Sequence, residues 1–207
     1  MSDRVDIPRK TVYRLSIYQR CLQRLRENGI ETVSSDALSR AAGVKSPQLR
    51  KDLAYFGNFG TRGLGYNVEM LSSRINQVLG TTRLQPVILI GVGNLGAALL
   101  HYGGFNKEGF EIVAAFDQDP QRARSVQTKV PIYPMTDMDA FIAAQSVKMA
   151  ILAVPAVGAQ QVVNQLTAAG IQAILNFAPV VLEVPEAVVV NNVDLAVELE
   201  NLSYFIR

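Results

Sequence analysis

Three glycines at a fixed spacing are the residues of this sequence best suited to holding a phosphate. Gly91, Gly93 and Gly96 form a Gly-x-Gly-x-x-Gly pattern directly after a short apolar run. Such glycines permit a tight turn, a close approach of the backbone to a pyrophosphate and close packing of a following helix. Asn94 precedes a helix predicted to open at Leu95, and backbone amides and positive potential at such a helix start favour an anion. The pattern predicts a dinucleotide site.

A carboxylate 21 residues after Gly96 indicates which dinucleotide is expected. Asp117 ends a second predicted strand, residues 111–116, and a carboxylate there can accept hydrogen bonds from ribose hydroxyls. Its charge would repel a 2′-phosphate, so NAD(H) is favoured over NADP(H). Arg122 and Arg124 lie nearby and leave NADP(H) open, and Asp117 could instead belong to a polar turn.

A second group of polar residues, before residue 70, is suited to base pairs. Gln48 can pair with adenine and Arg50 with guanine in the major groove, each through two hydrogen bonds. Arg62 lies in a glycine-rich stretch, residues 55–68, that predicts a β-hairpin and could carry the arginine into a minor groove. The alternative is a structural hairpin with its arginine in solvent. The candidate DNA contacts are Ser46, Gln48, Arg50, Lys51, Tyr55 and Arg62.

Local signals predict the helices that would carry these polar groups. Residues 8–28 have apolar side chains at helical spacing. Ser34 or Ser35 can cap a short second helix. Leu38 and Ala41 of that helix are predicted to face inward.

A glycine turn then leads into another short helix. Gly43 permits the turn, Ser46 suits the N-cap, and Pro47 suits the first helical position. Leu49 and Leu53 lie four residues apart and can anchor this helix to the core. A short helix, a turn, a polar helix and a hairpin in this order predict a winged helix-turn-helix.

Alternating strands and helices follow residue 85 and predict a parallel sheet of the Rossmann type. Strands are predicted at 86–90, 111–116, 149–154, 173–176 and 188–191, with a helix at 157–169. Ligands of such sheets bind beyond the carboxyl ends of the strands. The residues expected to border the nicotinamide are Val154, Pro155, Phe177, Ala178 and Pro179. Their apolar character favours the neutral reduced ring over the cationic oxidised ring.

Composition and charge limit the class of protein. The chain has 207 residues, 49% of them hydrophobic, and a single cysteine, Cys21. Residues 1–85 hold 14 Lys and Arg against 7 Asp and Glu, a net charge of +7, whereas the remainder carries −5. A basic half joined to an acidic half fits a nucleic-acid-binding domain beside another domain. The sequence shows no signal peptide or membrane-length apolar run, so a cytoplasmic protein without membrane contact is expected.

Catalytic candidates are scarce beside the predicted dinucleotide site. The only histidine, His101, falls on the helix after the glycines, and no tyrosine has a lysine four residues later. No Cys/His cluster predicts a metal. These features favour a dinucleotide sensor over an enzyme. The alternatives are a small NAD-dependent reductase with a basic appendage, and a CoA-binding module.

The tail, residues 193–206, is predicted to be an amphipathic helix. Leu195, Leu199, Leu202 and Phe205 form one apolar stripe. The stripe could pack on its own domain or on a partner subunit, and the pattern does not decide between them.

Four stretches, residues 48–57, 59–66, 91–96 and 176–185, resemble the Rex family of redox-sensing transcriptional repressors. The resemblance implies a homodimer that binds an inverted-repeat operator as double-stranded DNA and leaves it when NADH binds. NAD⁺ is expected to bind both states with little preference and therefore to shift the equilibrium little. The resemblance also implies a winged-helix domain at 1–80, a Rossmann NAD(H)-binding domain at 85–191 and a C-terminal helix at 192–207 swapped between subunits.

The same resemblance assigns roles to single residues. Arg50, Lys51 and Arg62 match DNA contacts, and the three glycines with Asp117 match the adenosine-diphosphate site. Arg20, Tyr102 and Asp194 match positions that link the DNA-binding helices, the nicotinamide region and the partner's tail. Taken separately, these three could be a surface cation, a packed aromatic ring and a helix cap.

Overall fold

A computed structural model of the protein describes residues 7–57, 59–61, 64–123 and 126–206. Arg62 and Arg124 therefore lie outside the described residues. Residue contacts divide the chain into two units, Met1–Arg83 and Leu84–Arg207, and each unit has a core of its own. No helix in the described ranges is both long and apolar enough to cross a membrane.

Unit 1 is a small helical bundle with a three-stranded sheet. Its first long helix packs along its last helix. Both contribute apolar side chains to the core, including the fully buried Leu15, Tyr18 and Leu22 of the first. In chain order the elements are α1 (Arg9–Glu27), β1 (Thr32–Val33), α2 (Ser35–Ala41), α3 (Ser46–Ala54), β2 (Gly60–Thr61), β3 (Gly65–Asn67) and α4 (Val68–Leu79).

The helix-turn-helix formed by α2 and α3 agrees with the prediction except in two details. Ser34 caps α2 by accepting a hydrogen bond from the Ala37 amide at 3.1 Å. Ser46 was predicted to cap α3, but Lys45 is the N-cap and Ser46 is already helical. Ala41 was predicted to face inward, but it is exposed and Ala42 is buried. Ala42 lies four residues after Leu38 and therefore shares its face.

The predicted hairpin is present and joins a strand that the sequence did not predict. β2 and β3 are antiparallel, with Gly60 opposite Tyr66. β1 pairs with the other edge of β3, with Val33 opposite Tyr66. Gly65 has a φ of +83°, and a Cβ atom there would collide with the Val33 carbonyl oxygen. Only glycine therefore allows β3 to pass this close to β1.

Unit 2 has a six-stranded parallel sheet in the order β6-β5-β4-β7-β8-β9, which is the Rossmann order. This confirms the predicted fold class. The order reverses between β4 and β7, where such folds bind ligands. The elements are β4 (Gln85–Ile90), α5 (Asn94–His101), α6 (Gly104–Lys107), β5 (Phe110–Asp117), α7 (Pro120–Ala123), β6 (Ile132–Pro134), a 3₁₀ turn (Met135–Asp137), α8 (Met138–Gln145), β7 (Met149–Leu152), α9 (Ala156–Ala168), β8 (Ala173–Asn176), β9 (Val189–Asn192), α10 (Leu195–Ser203) and a second 3₁₀ turn (Tyr204–Ile206).

The central strand β4 is buried on both faces because helices cover both sides of the sheet. Ile88 and Ile90 pack in a core that includes residues of α8 and α9. Leu89, on the opposite face, packs in a core that includes residues of α5 and α6. A continuous apolar run is the sequence pattern that such a strand requires.

Two predicted boundaries in unit 2 were wrong. The strand expected at 149–154 ends at Leu152, so Val154 lies in the loop at the sheet edge. The helix expected at 157–169 starts at Ala156 but is interrupted, since Val157 has a ψ of 117° and Gly158 has a φ of +90°. The backbone therefore changes direction just beyond the carboxyl end of β7.

The C-terminal helix α10 does not bury its apolar stripe within the chain. The exposed fractions of Leu195, Leu199, Leu202 and Phe205 lie between 62% and 79%. This excludes packing on its own unit, one of the two alternatives left open by the sequence. Exchange of the helix between subunits remains a prediction.

Candidate functional site

A cleft of about 430 Å³ opens where the strand order of unit 2 reverses. The loops after β4, β5 and β7 line it, because the carboxyl ends of parallel strands meet at one edge of a sheet. Five of the predicted cofactor residues come together there: Gly91, Gly93, Asp117, Val154 and Pro155.

The three glycines of this cleft have different structural roles. Gly91 has a φ of +91°, and a Cβ atom on it would lie 2.5 Å from the Ala153 carbonyl oxygen. A Cβ atom on Gly96 would collide with the Gly91 carbonyl oxygen. A Cβ atom on Gly93 would meet nothing within 4 Å. Gly91 and Gly96 are thus needed for packing, whereas Gly93 borders space that a ligand can occupy.

The N-terminus of α5 follows the glycine loop. Gly93 is its N-cap and makes no side-chain capping hydrogen bond, and Asn94 and Leu95 are exposed in the first turn. Amide groups at an uncapped helix start are left for water or an anionic ligand. This geometry suits the pyrophosphate expected from the sequence.

Asp117 joins two of the loops that line the cleft. Its Oδ2 accepts a hydrogen bond from the Val92 amide at 2.7 Å, and its Oδ1 accepts one from the Asp119 amide at 2.8 Å. A carboxylate has about four acceptor positions, so ribose hydroxyls can still bind. Asp117 therefore both fixes the glycine loop and offers acceptors to a ligand.

The other predicted cofactor residues do not line this cleft. Tyr102 ends α5 and packs edge-on against Phe105, with ring centroids 5.0 Å apart, in a separate cleft of about 460 Å³. Phe177, Ala178 and Pro179 follow β8.

The buried Asn176 shapes the loop after β8, which is a role that the sequence analysis missed. Its Oδ1 accepts a hydrogen bond from the Ala178 amide at 2.8 Å. Its amide nitrogen lies 3.1 Å from the Ala178 carbonyl and 3.2 Å from that of Val180. An asparagine directly after a buried apolar strand was the available signal, because a buried amide needs partners.

On unit 1, α3 presents polar groups beside its buried face. Leu49 and Leu53 are buried as predicted, Arg50 and Lys51 are exposed, and Tyr55 is half-buried at the helix end. Arg62 lies outside the described residues.

The first residue of α3 is tied to the preceding helix. The Ser46 hydroxyl donates a hydrogen bond to the Asp36 carboxylate, and its oxygen lies 2.9 Å from the Ser39 hydroxyl oxygen. Asp36 and Ser39 belong to α2. Ser46 therefore links the two helices of the helix-turn-helix, in addition to its predicted DNA contact.

A buried polar network under α3 is the main feature that the sequence analysis missed. Asp52, fully buried, accepts hydrogen bonds from Arg14 Nε at 2.6 Å and from Arg14 Nη2 at 2.7 Å. It also accepts from the Tyr18 hydroxyl at 2.7 Å, Gln48 Nε2 at 2.8 Å and the Thr11 hydroxyl at 3.3 Å. Since Arg14, Tyr18 and Thr11 lie on α1, the network fixes α3 against α1.

Opposing effects act on the ionisation of this network. Burial by itself would raise the pKa of Asp52, yet hydrogen bonds from Arg14, Tyr18 and Gln48 and the charge of Arg14 hold that pKa below its usual value. Burial and the neighbouring Asp52 raise the pKa of the Tyr18 hydroxyl. At neutral pH Asp52 is therefore ionised and Tyr18 donates. An aspartate between Leu49 and Leu53 on the buried face was the signal, because a buried charge needs partners.

The structure shows the local environments of Asp194 and Arg20, two of the three residues expected to link the DNA-binding helices with the nicotinamide region. Asp194 caps α10, its Oδ1 accepting hydrogen bonds from the Ala196 amide at 2.9 Å and the Val197 amide at 3.3 Å. Arg20 is exposed on α1. The coupling role of Arg20, Tyr102 and Asp194 remains a prediction.

His101 has partners that indicate a structural role. Its two ring nitrogens each lie 2.7 Å from a carbonyl oxygen, of Ala97 and of Gln127. It does not line the cleft that contains Gly91. Among the described residues, no group of three or more His, Cys, Asp or Glu side chains could hold a metal ion.

Two family models match successive parts of the chain. Residues 6–54 match the model described as a putative DNA-binding protein N-terminus, and residues 82–180 match a CoA-binding domain. The first match includes the helix-turn-helix, and the second includes the cleft at the sheet edge.

Curated relatives cover almost the whole chain. A protein of Pelotomaculum thermopropionicum named redox-sensing transcriptional repressor Rex is 50% identical over 97% of this chain and 94% of its own length. A protein of Streptomyces coelicolor with the same name is 48% identical over 96% of this chain and 77% of its own length.

Solved structures also match almost the whole chain, at lower sequence identity. A crystal structure of RSP in complex with β-NAD⁺ and operator DNA is 36% identical, has a TM-score of 0.88 and covers 98% of this chain and 94% of that chain. A structure of RSP in complex with β-NADH is 35% identical, has a TM-score of 0.86 and covers 98% of this chain and 95% of that chain.

Proposed function

Because the chain belongs to the Rex family of redox-sensing transcriptional repressors, we propose that it represses transcription by binding operator DNA and releases that DNA when NADH binds. The observation that carries the proposal is the presence, in one chain, of a helix-turn-helix with exposed basic residues and a Rossmann cleft with an open glycine loop. Crystal structures of RSP hold β-NADH in one case and β-NAD⁺ with operator DNA in another, and both share the fold of this chain.

The proposed DNA interface is the exposed side of α3 together with the hairpin. In helix-turn-helix proteins the N-terminal residues of the second helix contact base edges. Arg50 and Lys51 are exposed on that helix, as such contacts require. The full set proposed for DNA binding is Ser46, Gln48, Arg50, Lys51, Tyr55 and Arg62.

The proposed cofactor site is the cleft at the strand reversal, extended toward the loop after β8. The start of α5 supplies amides to the pyrophosphate, and Asp117 supplies acceptors to the ribose of adenosine. Apolar residues around the nicotinamide favour the neutral reduced ring, because burying an unpaired charge costs free energy. The full set is Gly91, Gly93, Asn94, Leu95, Gly96, Tyr102, Asp117, Val154, Pro155, Phe177, Ala178 and Pro179.

The proposed active form is a cytoplasmic homodimer. Two copies of α3, one from each subunit, would enter successive major grooves of an inverted repeat. The exposed apolar stripe of α10 supports a helix that packs on the partner subunit. Arg20, Tyr102 and Asp194 are proposed to transmit the effect of NADH to the DNA-binding helices.

A gel-shift titration tests the function directly. Operator retention by the full-length protein should fall as the NADH/NAD⁺ ratio rises at constant total dinucleotide. Retention that does not change with the ratio would contradict NADH sensing. CoA belongs in a parallel titration because a CoA-binding family model matches residues 82–180. Release by CoA with no response to NADH would favour that alternative.

The relatives are named as repressors, which agrees with the expectation of a regulatory protein without catalysis. A reductase with a basic appendage would consume NADH in the presence of a carbonyl substrate. We expect no such consumption, which absorbance at 340 nm would reveal.

A further inference from the structure

The guanidinium group of Arg14 uses only part of its hydrogen-bonding capacity within unit 1. An arginine side chain has five N–H donors, one on Nε and two on each terminal nitrogen. Nε donates to Asp52 Oδ2 at 2.6 Å, and Nη2 donates to Asp52 Oδ1 at 2.7 Å and to the Thr11 hydroxyl at 3.2 Å. Within the part of the chain that the structure describes, Nη1 has no hydrogen-bond partner, so its two donors remain available.

This nitrogen can be reached from outside the protein. The Arg14 side chain is 22% exposed, although Asp52 beside it is buried. In the described ranges, the only buried side-chain nitrogen or oxygen atom without a partner is Oε1 of Gln19. Nη1 of Arg14 is therefore accessible to solvent, and it can bind a ligand while Arg14 keeps its contacts with Asp52 and Thr11.

Arg14 lies beside the start of α3, which is the part of that helix proposed to face base edges. Asp52 Oδ1 accepts hydrogen bonds from both Arg14 Nη2 and Gln48 Nε2, so the two side chains converge on one oxygen atom. Gln48 is the third residue of α3, whereas Arg14 belongs to α1. In helix-turn-helix complexes the start of the second helix enters the major groove, which is bordered by phosphates. A donor on the neighbouring helix is therefore suited to a phosphate at the edge of the groove.

The buried contacts hold the guanidinium group in one orientation before DNA binds. Asp52 fixes it through two parallel charge-assisted hydrogen bonds. A side chain that is already ordered loses less conformational entropy on binding than a fully exposed one. The planar, permanently charged guanidinium group also suits phosphate oxygens. Arg14 thus offers a preorganised pair of donors at the proposed DNA surface.

Resting on the proposed function, we infer that Arg14 Nη1 donates hydrogen bonds to one phosphate of the operator while Nε and Nη2 stay bound to Asp52. Asp52 is the positioning residue that orients the guanidinium group. The contact fixes the register of α3 in the groove, but it is the same for every base sequence because phosphates carry no sequence information.

The test is a double-mutant cycle between Arg14 and single phosphates of the DNA. An operator is first selected from a randomised inverted repeat with the wild-type protein. Each phosphate of one half-site is then replaced in turn by a neutral methylphosphonate. Kd is measured for the wild-type protein and Arg14→Lys by fluorescence anisotropy without NADH at one salt concentration. Lysine has a single side-chain nitrogen, so a lysine that pairs with the buried Asp52 has no second nitrogen for DNA.

Arg14→Lys should bind the unmodified operator about tenfold more weakly than the wild-type protein. The loss should be equal on all base variants of the half-site, because a displaced α3 would alter base discrimination and a lost phosphate contact would not. Arg24→Lys, an exposed change nearer the end of α1, is the matched control and should behave as wild type.

One phosphate should distinguish the two proteins. Its replacement by methylphosphonate should weaken binding of the wild-type protein about tenfold and binding of Arg14→Lys less than about threefold. At all other phosphates the two proteins should lose affinity equally. Equal losses at every phosphate would overturn the inference, and altered base discrimination in Arg14→Lys without such coupling would mean that Arg14 only positions α3.

A second variant serves if Arg14→Lys does not fold. Arg14→Met combined with Asp52→Leu replaces the buried ion pair by apolar side chains, a change that proteins often tolerate. This variant should be insensitive to the methylphosphonate at the same phosphate. If the wild-type protein selects no duplex, the proposed function fails as well, whereas sequence-specific binding without coupling between Arg14 and any phosphate overturns the inference alone.

Discussion

A single buried carboxylate fixes the helix that is proposed to contact DNA. Asp52 receives hydrogen bonds from Thr11, Arg14, Tyr18 and Gln48. Removing one member of a buried ion pair leaves an uncompensated charge, so such residues are sensitive to substitution even where the intact pair adds little. The stability of unit 1 and the placement of its polar surface therefore depend on the same side chain.

Asp52→Asn is expected to destabilise unit 1 by about 3–5 kcal/mol at neutral pH, since Arg14 would lose its buried counter-ion. Urea unfolding followed by circular dichroism measures this change. Glu27→Gln, an exposed change at the end of α1, should alter the unfolding free energy by less than about 0.5 kcal/mol. A loss below about 1 kcal/mol in Asp52→Asn would contradict the structural role of the network.

The same network predicts an acid-sensitive contribution to stability. The pKa of Asp52 is lower in the folded protein than its ordinary value of 3.8, so the folded state favours the ionised form. The stabilisation is complete above pH 3.8 and is lost as the pH falls through the lower folded-state pKa. Unfolding free energies measured between pH 6 and pH 2 should converge for wild type and Asp52→Asn. A constant difference across this range would reject the assignment.

Asp117→Ala is expected to weaken NADH binding by about tenfold or more, because it removes ribose acceptors and frees the Val92 amide of the glycine loop. Operator binding without NADH should be unchanged. Isothermal titration gives the first quantity and a gel shift the second. Asp139→Ala, an exposed change on α8, is the control. Simultaneous loss of NADH and DNA binding would indicate misfolding rather than a cofactor role.

At the scale of elements, the turn between β4 and α5 separates glycines needed for packing from one that borders open space. Gly91 and Gly96 would collide with backbone carbonyls if they carried a Cβ atom, whereas Gly93 would not. The two kinds of glycine should therefore respond differently to the same substitution.

Gly96→Ala should destabilise unit 2 by about 3 kcal/mol, because α5 would have to move away from β4. Gly93→Ala should change the melting temperature little, since its φ of −72° suits alanine, and should weaken NADH binding about tenfold or more. Thermal unfolding and NADH titration of both variants distinguish the two effects. Normal NADH affinity in Gly93→Ala would place the pyrophosphate elsewhere.

The sequence predicted those elements whose signals are long or chemically specific. The apolar run of β4, the helical spacing in α1 and the glycine turn before α3 each follow from local physical requirements. β1 was missed because two residues show no periodicity. The break in α9 was missed although Gly158, with a φ of +90°, offered a signal, because an isolated glycine can also lie inside a regular helix.

The candidate site was predicted less completely than the fold. The glycines and Asp117 follow from a spacing rule, and the structure brings them together. The Asp52 network depends on Arg14 and Tyr18, which are more than 30 residues away in the chain. No local sequence pattern specifies such a long-range contact. The only available indication was the aspartate on the buried face of α3, because a buried charge must have hydrogen-bond or ion-pair partners.

At the scale of the whole molecule, the exposed stripe of α10 predicts dependence on a second subunit. Leu199→Glu would place a charge in the proposed interface and should convert dimer to monomer at micromolar concentrations. Sedimentation equilibrium measures the change. Glu200→Gln, an exposed polar change on the same helix, should leave the dimer intact. A dimeric Leu199→Glu protein would show that another surface holds the subunits together.

The proposed switch makes a reciprocal thermodynamic prediction. If NADH weakens operator binding by a given factor, operator DNA must weaken NADH binding by the same factor. NAD⁺, with similar affinity for both conformations, should shift the equilibrium little. Titrations of NADH with and without saturating operator check this equality. Equal NADH affinity in both titrations would mean that the protein has no NADH-dependent switch.

Gly65 limits how the sequences of proteins with this fold can change during evolution. It lets β3 pass against the backbone of Val33, directly before the residue that caps α2. A side chain at this position would displace the segment that leads into the helix-turn-helix. The hairpin and the helix-turn-helix are therefore not separate modules, and an evolutionary change in the orientation of one must be accommodated by the other.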